Sequence, residues 1–237
     1  MVSIPVSAST SARPSQVTDA PPPPRTRLRD VPRPALVALL AWLALAATVS
    51  ATGLLQRVLP LTAALFATAV IGTLVAWRRS AALRAWTQGL DLRVPILLHV
   101  IRIGFGALFL AELAAGRLPA TFAERGGYGD ILAGALALIA ALAIGRPPAG
   151  RAQPASASGR LWGWAFSVVG LAVILLVFAT AQVGALAERD PLIIGAIGRL
   201  PYSLLPTLVV PLVVLTHVLV MQRLRAAARE DDLRARR

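Results

Sequence analysis

The sequence predicts an all-α, polytopic membrane protein with six transmembrane helices and both termini in the cytoplasm. Six long apolar runs fill most of the chain, the charged residues gather between those runs, and the arginines are distributed unequally among the connecting segments. Charged residues make up 15% of the chain, whereas a soluble domain carries about 25%. A helix needs roughly 20 apolar residues to cross a bilayer.

The apolar runs define the predicted spans. Four of them reach the length that a bilayer requires, the second is close to it, and the fourth is short. In chain order they are Ala35–Leu55, Pro60–Trp77, Val94–Leu113, Asp130–Ile144, Leu161–Val183 and Tyr202–Gln222. One transmembrane domain therefore covers residues 34–222. Residues 1–33 are rich in Ser, Pro, Thr and Ala and are predicted to be a disordered cytoplasmic tail, and residues 223–237 form an arginine-rich cytoplasmic tail.

The arginine distribution sets the predicted orientation. All 24 basic residues are arginine. Eighteen lie in the two tails and in the connections after the second and fourth spans, five lie in the other connections, and Arg102 lies inside the third span. Since positively charged loops stay in the cytoplasm, both tails are predicted there, against anionic lipid headgroups. Orientation accounts for the net charge of +13, and no nucleic-acid partner is expected.

The connecting segments also contain signals for short helices. Ala81–Gln88 is predicted to lie along the cytoplasmic surface as an interfacial helix. On the outer side, Pro119–Arg125 is predicted to be a short helix that Gly126 and Gly127 stop. Pro191–Ile197 is predicted to be another, with Asp190 as its N-cap.

Two patterns predict how the spans pack. Small side chains share the face of span four that also holds Asp130, which allows a close crossing with a neighbouring helix; they are Ala133, Ala137, Ala140 and Ala141. Span six contains Pro206 and Pro211, each of which removes a backbone hydrogen bond. A kink is therefore predicted in span six.

The residue with the clearest functional signal is Arg102. It lies about 12 Å deep at 1.5 Å per residue, where an unpaired arginine costs at least ~2.5–3.5 kcal/mol. It shares one helix face with His99 and Gly106, at spacings that place all three together. Arg102 is therefore expected to face the interior of the bundle, either to tie helices together or to bind a ligand.

The partner of Arg102 is left open by the sequence. Asp130, Glu112, a carbonyl freed by one of the prolines of span six and an anionic ligand are all candidates. Asp130 and Glu112 are predicted near the outer boundary of the membrane, too far from Arg102 to bond to it without a bridging water.

His217 in span six is the only other histidine. His99 and His217 are both predicted about 7–8 Å deep on the same side of the membrane. This matching depth fits two structural histidines, a proton relay or ligand contact, or a haem held between two helices. Haem is the one cofactor left open, and no metal-ligand cluster is predicted.

Several classes of protein are disfavoured by the motifs. With no cysteine, thiol chemistry, disulfides and zinc–thiolate sites are excluded. The chain contains no hydrolase or phosphate-loop motif, so an enzyme is less expected than a non-enzymatic protein. Gly127–Asp130 matches the end of a potassium-channel filter, but Arg125 and Gly126 stand where the filter needs Thr and a β-branched residue.

One stretch resembles a known family. Its residues are Arg102, Gly106, Gly116, Arg117, Leu118, Pro119, Phe122, Ala123, Gly127, Tyr128, Gly129 and Asp130. Over His99–Leu138 the chain resembles a family of uncharacterised bacterial multi-pass membrane proteins. The resemblance implies a bacterial inner-membrane location and brings no activity.

The leading functional hypothesis is a membrane protein that binds or moves a small or lipophilic molecule at Arg102, His99, His217 and Asp130. A second hypothesis is a scaffold or accessory subunit of a complex with another membrane protein. A third is a membrane redox protein that holds haem between the two histidines.

Overall fold

The computed structural model describes residues 26–145 and 156–236. Of the predicted disordered tail, residues 1–33, residues 1–25 lie outside this part of the chain, and Leu28–Asp30 form a 3₁₀ turn. The described residues form helices and connections only. The helices, in chain order, are α1 Arg33–Ala51, α2 Leu54–Arg57, α3 Pro60–Arg79, α4 Ala81–Gly89, α5 Arg93–Leu97, α6 Arg102–Ala114, α7 Ala120–Ile144, α8 Ala157–Leu186, α9 Pro191–Ile197 and α10 Val210–Ala235.

Six helices are long and apolar enough to cross a membrane. They are span one (α1), span two (α3), span three (Arg93–Ala114, α5 with α6), span four (α7), span five (α8) and span six (Leu205–Arg229, which includes most of α10). The predicted all-α, six-helix architecture is confirmed. The predicted span boundaries agree within a few residues except in span four, and α10 continues into the predicted C-terminal tail.

Contacts between the connections define two ends of the bundle. At one end, the Thr26 amide donates to the Gly89 carbonyl at 3.1 Å, and Arg223 of span six donates to the Leu90 carbonyl. This end is called the tail face. At the other end, called the cap face, the Gln56 side chain lies against Gly198.

The predicted short helices on two connections are present. The helix α4 begins after Ser80, whose hydroxyl accepts a hydrogen bond from the Leu83 amide at 3.1 Å. The helix α9 begins after Asp190, whose carboxylate accepts from the Leu192 and Ile193 amides. Because these side chains satisfy amides that lack helical partners, both helices start where the sequence indicates.

Span four departs from the prediction. The helix begins at Ala120 and runs to Ile144 without interruption, so the predicted short helix Pro119–Arg125 and its glycine stop are wrong. The reason is packing: an added Cβ would lie 3.0 Å from a Phe109 ring carbon at Gly126 and 2.6 Å from Leu110 Cγ at Gly127. These glycines let span three approach closely and do not end the helix.

Spans three and four therefore form a closely packed hairpin. A Cβ added at Gly106 would collide with the Gly127 carbonyl oxygen, so the two backbones are in direct contact there. The small-residue face predicted on span four is buried against its neighbours; Ala133, Ala137 and Ala140 are 0% exposed and Ala141 is 1% exposed. This face carries Asp130 into the interior of the bundle.

Span three is itself irregular around the predicted site. A 3₁₀ turn, Leu98–Ile101, separates α5 from α6, so His99 lies in the turn and Arg102 is the first residue of α6. At the other end of the span, Gly116 has φ of 68°, and the Arg117 amide donates to the Glu112 carbonyl at 2.9 Å. This Schellman arrangement ends the helix at the cap face.

Span six begins with a π-helical turn, Leu205–Val209. Pro206 lies in this turn, and Pro211 follows it, so the helix is irregular where the two prolines lie. The kink itself stays a prediction. Pro211 has no N–H to donate to the Thr207 carbonyl four residues earlier. Trp42 of span one supplies the missing donor, since its indole Nε1 lies 2.9 Å from that carbonyl oxygen.

Removing this indole donor is expected to destabilise the protein. Trp42→Phe keeps the aromatic ring and leaves the Thr207 carbonyl without its hydrogen bond, which should cost about 0.6–1.7 kcal/mol of unfolding free energy. Detergent unfolding curves measure the loss. Trp162→Phe is the control, because the Trp162 indole has no hydrogen-bond partner among the described residues; equal losses in both variants would contradict the assignment.

Candidate functional site

Arg102 forms a buried ion pair with Asp130. Its Nε and Nη2 atoms donate to Asp130 Oδ1 at 2.9 and 2.6 Å. The side chains are 2% and 6% exposed. The pair lies in the bundle interior between spans three and four, which explains how an arginine is accommodated at this depth.

The direct bond corrects the prediction that Asp130 lies too far from Arg102. The prediction placed Asp130 at the start of span four, but the helix starts at Ala120. Asp130 is therefore ten residues into the helix, or about 15 Å at the usual rise per residue. The close contact between Gly106 of span three and Gly127 of span four then brings it level with Arg102.

The third hydrogen bond of Arg102 reaches span five. Its Nη1 atom donates to the Gly170 carbonyl at 3.1 Å. The predicted alternatives, carbonyls freed by the prolines of span six and the Glu112 carboxylate, are not used. The guanidinium thus connects spans three, four and five.

The two predicted histidines meet directly behind Arg102. The ring centroids of His99 and His217 are 4.3 Å apart, and both rings pack against Phe166 at 4.9 and 4.7 Å. His99 Nε2 lies 2.8 Å from Thr216 Oγ1. His99 Nδ1 and both ring nitrogens of His217 are buried with no hydrogen-bond partner among the described residues.

The direct contact of the rings bears on the haem hypothesis. A haem ligated by both histidines needs iron and its macrocycle between the two ring nitrogens. Here the rings of His99 and His217 touch each other and Phe166, so the geometry does not fit a haem between them. The hypothesis stays a prediction that this arrangement does not favour.

A cavity of about 500 Å³ lies on the cap-face side of the ion pair. Arg102 and Asp130 lie at its inner end, which is called the floor. Its walls are mainly apolar side chains of spans three, five and six, among them Phe105, Ile174 and Val213. The volume is in the range of small-molecule sites, which are about 300–1,000 Å³.

A second set of charges surrounds the opening of the cavity and is called the rim. Arg117 Nε and Nη2 donate to the two Glu112 oxygens at 2.6 and 2.8 Å. The Tyr202 hydroxyl donates to Glu112 Oε1 at 3.1 Å. The Glu112 carboxylate raises the pKa of Arg117, while loss of hydration and then Glu112 raise the pKa of Tyr202. Arg199 also lines the cavity.

The π-helical turn of span six borders the same cavity, since Leu205, Pro206 and Val209 all line it. Turns of this kind are frequent at functional sites. The local irregularity that the prolines predict therefore lies at the cavity wall.

Thr216 connects the histidine pair to a smaller cavity. This second cavity, about 250 Å³, is lined by Thr216 and by residues of the tail face, among them Leu28, Trp86 and Leu90. The order Asp130, Arg102, His217, His99, Thr216 thus leads from the first cavity to the second.

Of the four residues predicted for the site, Arg102 and Asp130 line the first cavity, and His99 and His217 lie behind them. Sequence reasoning did not single out Gly170 or Phe166. Gly170 is one of four glycines along span five, at successive spacings of four, seven and fourteen residues: Gly159, Gly163, Gly170 and Gly184. This pattern was a signal for close packing, although it does not say which side chain comes close.

Comparison with known families identifies the family of this chain and assigns no activity. A family model described as "Domain of unknown function (DUF8737)" matches residues 59–225. These residues include spans two to five, most of span six and the whole of the site. Comparisons with curated proteins and with solved structures return no match.

Proposed function

We infer the function from the cavity. This chain belongs to the DUF8737 family, and membership of that family implies no activity. We propose that the protein binds a lipophilic anion inside the membrane, as part of its storage, sensing or movement across the bilayer. The observation that carries the proposal is an apolar cavity of about 500 Å³ that ends on the Arg102–Asp130 pair.

The apolar walls favour a ligand with a lipophilic body. Burial of apolar surface contributes roughly 25 cal/mol per Å², and most of the residues that line the cavity are apolar. A purely apolar ligand would leave the ion pair against hydrocarbon. A ligand with a polar group at the floor would instead make hydrogen bonds with the ion pair. A guanidinium has five N–H groups, and the hydrogen bonds of Arg102 use three of them, two of which go to the same Asp130 oxygen, Oδ1.

The charges of the cavity favour an anion. Three guanidinium groups line it, those of Arg102, Arg117 and Arg199, against two carboxylates, Glu112 and Asp130. Arg199 is exposed and forms no ion pair within the described residues. A cavity lined by an excess of one charge raises the local concentration of the opposite charge, so the rim attracts an anion and the floor holds it.

We place the protein in the inner membrane of a bacterium, with the tail face in the cytoplasm. The support is the excess of arginine on that face, which follows the positive-inside rule. The same arginines are expected to contact anionic lipid headgroups. The cavity then opens toward the outer side of the membrane.

A second function, a scaffold for another membrane protein, has one observation in its favour. Span one buries only Ala46 and Ser50 among the described residues. Most of its surface is therefore left for lipid or for a partner helix. Extraction in a mild detergent followed by native mass spectrometry separates the two: a stoichiometric second polypeptide supports the scaffold.

The anion-binding proposal is tested with a pair of probes that share one aromatic body. Anilinonaphthalene sulfonate carries a fixed negative charge, and phenylnaphthylamine is its neutral analogue. With the protein in lipid nanodiscs, and empty nanodiscs subtracted, we expect saturable binding of the sulfonate at one site per chain. The neutral analogue is expected to bind at least about tenfold more weakly, a difference of about 1.4 kcal/mol.

A cavity-filling substitution supplies the specificity control. Gly195 lines the cavity, and a Cβ added there meets nothing within 4 Å, so Gly195→Trp should occupy the space and abolish sulfonate binding. Gly72→Trp adds the same bulk in span two, where a Cβ also meets nothing within 4 Å, and should leave binding intact. Equal binding by both variants, or no saturable binding by the unaltered protein, overturns the proposal.

A further inference from the structure

The histidine pair lies against the floor of the cavity and outside the cavity itself. A Cβ added at Gly170 would lie 2.5 Å from His217 Cε1 and 3.5 Å from Arg102 Nη1. His217 and Arg102 therefore contact the same point of span five. Any change in charge at the floor acts on the histidine pair at short range.

The histidine pair makes fewer hydrogen bonds than a purely structural pair of buried side chains would. Three of its four ring nitrogens are buried without a partner among the described residues, and His217 is 0% exposed. A buried polar group without a hydrogen bond destabilises the fold, and an aromatic ring of similar shape would pack there without that cost. Titratable side chains at this depth are functional by default.

Charge balance gives the pair a role. With Arg102 and Asp130 both charged, the floor is neutral. A bound anion would leave an uncompensated negative charge in a medium of low dielectric constant, where it is strongly unfavourable. One proton on the histidine pair restores neutrality.

A route for that proton leads from the tail face. Thr216 lines the second cavity, and its Oγ1 lies 2.8 Å from His99 Nε2. His99 Nδ1 is unpartnered and belongs to the ring that touches His217. A proton taken up at one nitrogen of His99 can thus be matched by release of a proton from the other.

The other titratable groups around the pair are few. Span three contributes Arg102. Span four contributes Asp130, whose carboxylate is bound by Arg102. Span five has Arg160 near its start and no titratable group in its middle. Span two has Arg78 and Arg79 at its tail-face end. The charge at the floor is thus the local influence on the histidines.

We propose that each anion bound in the cavity is accompanied by one proton taken up on the His99–His217 pair. The proton leaves an aqueous acid, hydronium or buffer, at the tail face. It passes through Thr216 and His99, and it ends as an N–H bond on the pair while the acid becomes its conjugate base. The inference rests on the proposed function and makes it a proton-coupled anion site, with anion and proton entering from opposite faces.

The test measures binding of anilinonaphthalene sulfonate in nanodiscs from about pH 5 to about pH 8, the range in which imidazole titrates. The sulfonate keeps its charge throughout. Uptake of one proton makes binding tighter as the pH falls, by up to about tenfold per pH unit. His99→Gln with His217→Gln keeps polar side chains and removes both titrating rings, so the pH dependence should disappear and binding should stay at the weak level that the unaltered protein shows at about pH 8.

Thr62→Val serves as the matched control, because Thr62 is a buried hydroxyl in span two, away from the pair. It should keep the pH dependence, and Thr216→Val should slow the proton uptake that a pH-sensitive dye reports. Saturable binding with no pH dependence, or the same dependence in the double histidine variant, overturns the proton coupling alone. Absence of saturable binding at every pH overturns the anion site and the coupling together.

Discussion

Arg102→Leu is expected to lower the unfolding free energy by about 3–5 kcal/mol, because it leaves the Asp130 carboxylate buried without its partner. Asp130 is 4% exposed, so water does not replace the lost guanidinium. Asp130→Leu should cost a similar amount for the converse reason. Unfolding curves in mixed detergent micelles measure both losses.

The double variant separates the ion pair from general damage to the core. Arg102→Leu with Asp130→Leu leaves neither charge buried, and replacing both partners of a buried pair by apolar residues is often neutral or stabilising. We therefore expect the double variant to be more stable than either single variant. Losses that simply add would show that the two residues act independently.

The rim pair provides a matched comparison. Arg117 and Glu112 have the same chemistry and similar distances, but the Arg117 side chain is 63% exposed. Exposed ion pairs contribute little to stability because water screens them, so Arg117→Leu should have a small effect. If Arg102→Leu were no more destabilising than Arg117→Leu, burial would not govern the contribution of the inner pair.

The sequence was sufficient for the architecture because apolar length is a local property. Each run of apolar residues indicates a span without knowledge of its neighbours, and each predicted span is found as a long helix. The cap Asp190 and the small-residue face of span four were also predictable, since their signals lie within a few residues. The prolines likewise indicated an irregular span six.

The pairing within the site was not predictable, because it depends on contacts between distant residues. Gly126 and Gly127 favour a helix stop when considered alone, and only the side chains of Phe109 and Leu110 show that they are packing positions. This single error moved Asp130 to the membrane boundary and away from Arg102. The cavity needs spans three, five and six together, so no local pattern reveals it.

The orientation and the ligand class are proposed from the distribution of charge. The arginine excess predicts which face is cytoplasmic, and the two faces themselves follow from contacts such as that between Arg223 and Leu90. The apolar walls and the charges of the cavity define a ligand class. The contact between spans three and four holds Arg102 beside Asp130. Substitutions at that contact should therefore change the stability of the protein.

Gly106→Ala is expected to destabilise the protein strongly, whereas Gly104→Ala two residues earlier should not. At Gly106 an added methyl group collides with the backbone carbonyl of Gly127. Backbone cannot move aside as a flexible side chain does, so the cost should reach or exceed about 3 kcal/mol, the upper end for overpacking. At Gly104 an added Cβ meets nothing within 4 Å, and alanine is favoured over glycine in a helix by about 0.5–1 kcal/mol.

The two alanine variants therefore shift the unfolding free energy in opposite directions within one helix. Spin labels on the tail-face ends of spans three and four should also show a larger separation in Gly106→Ala, because the hairpin must open about its cap-face connection to admit the methyl group. The opening would draw Asp130 away from Arg102 and leave both charges partly unpaired, so sulfonate binding should weaken as well. A stable Gly106→Ala protein with unchanged spin-label distances would mean that direct backbone contact is not what sets the geometry of the site.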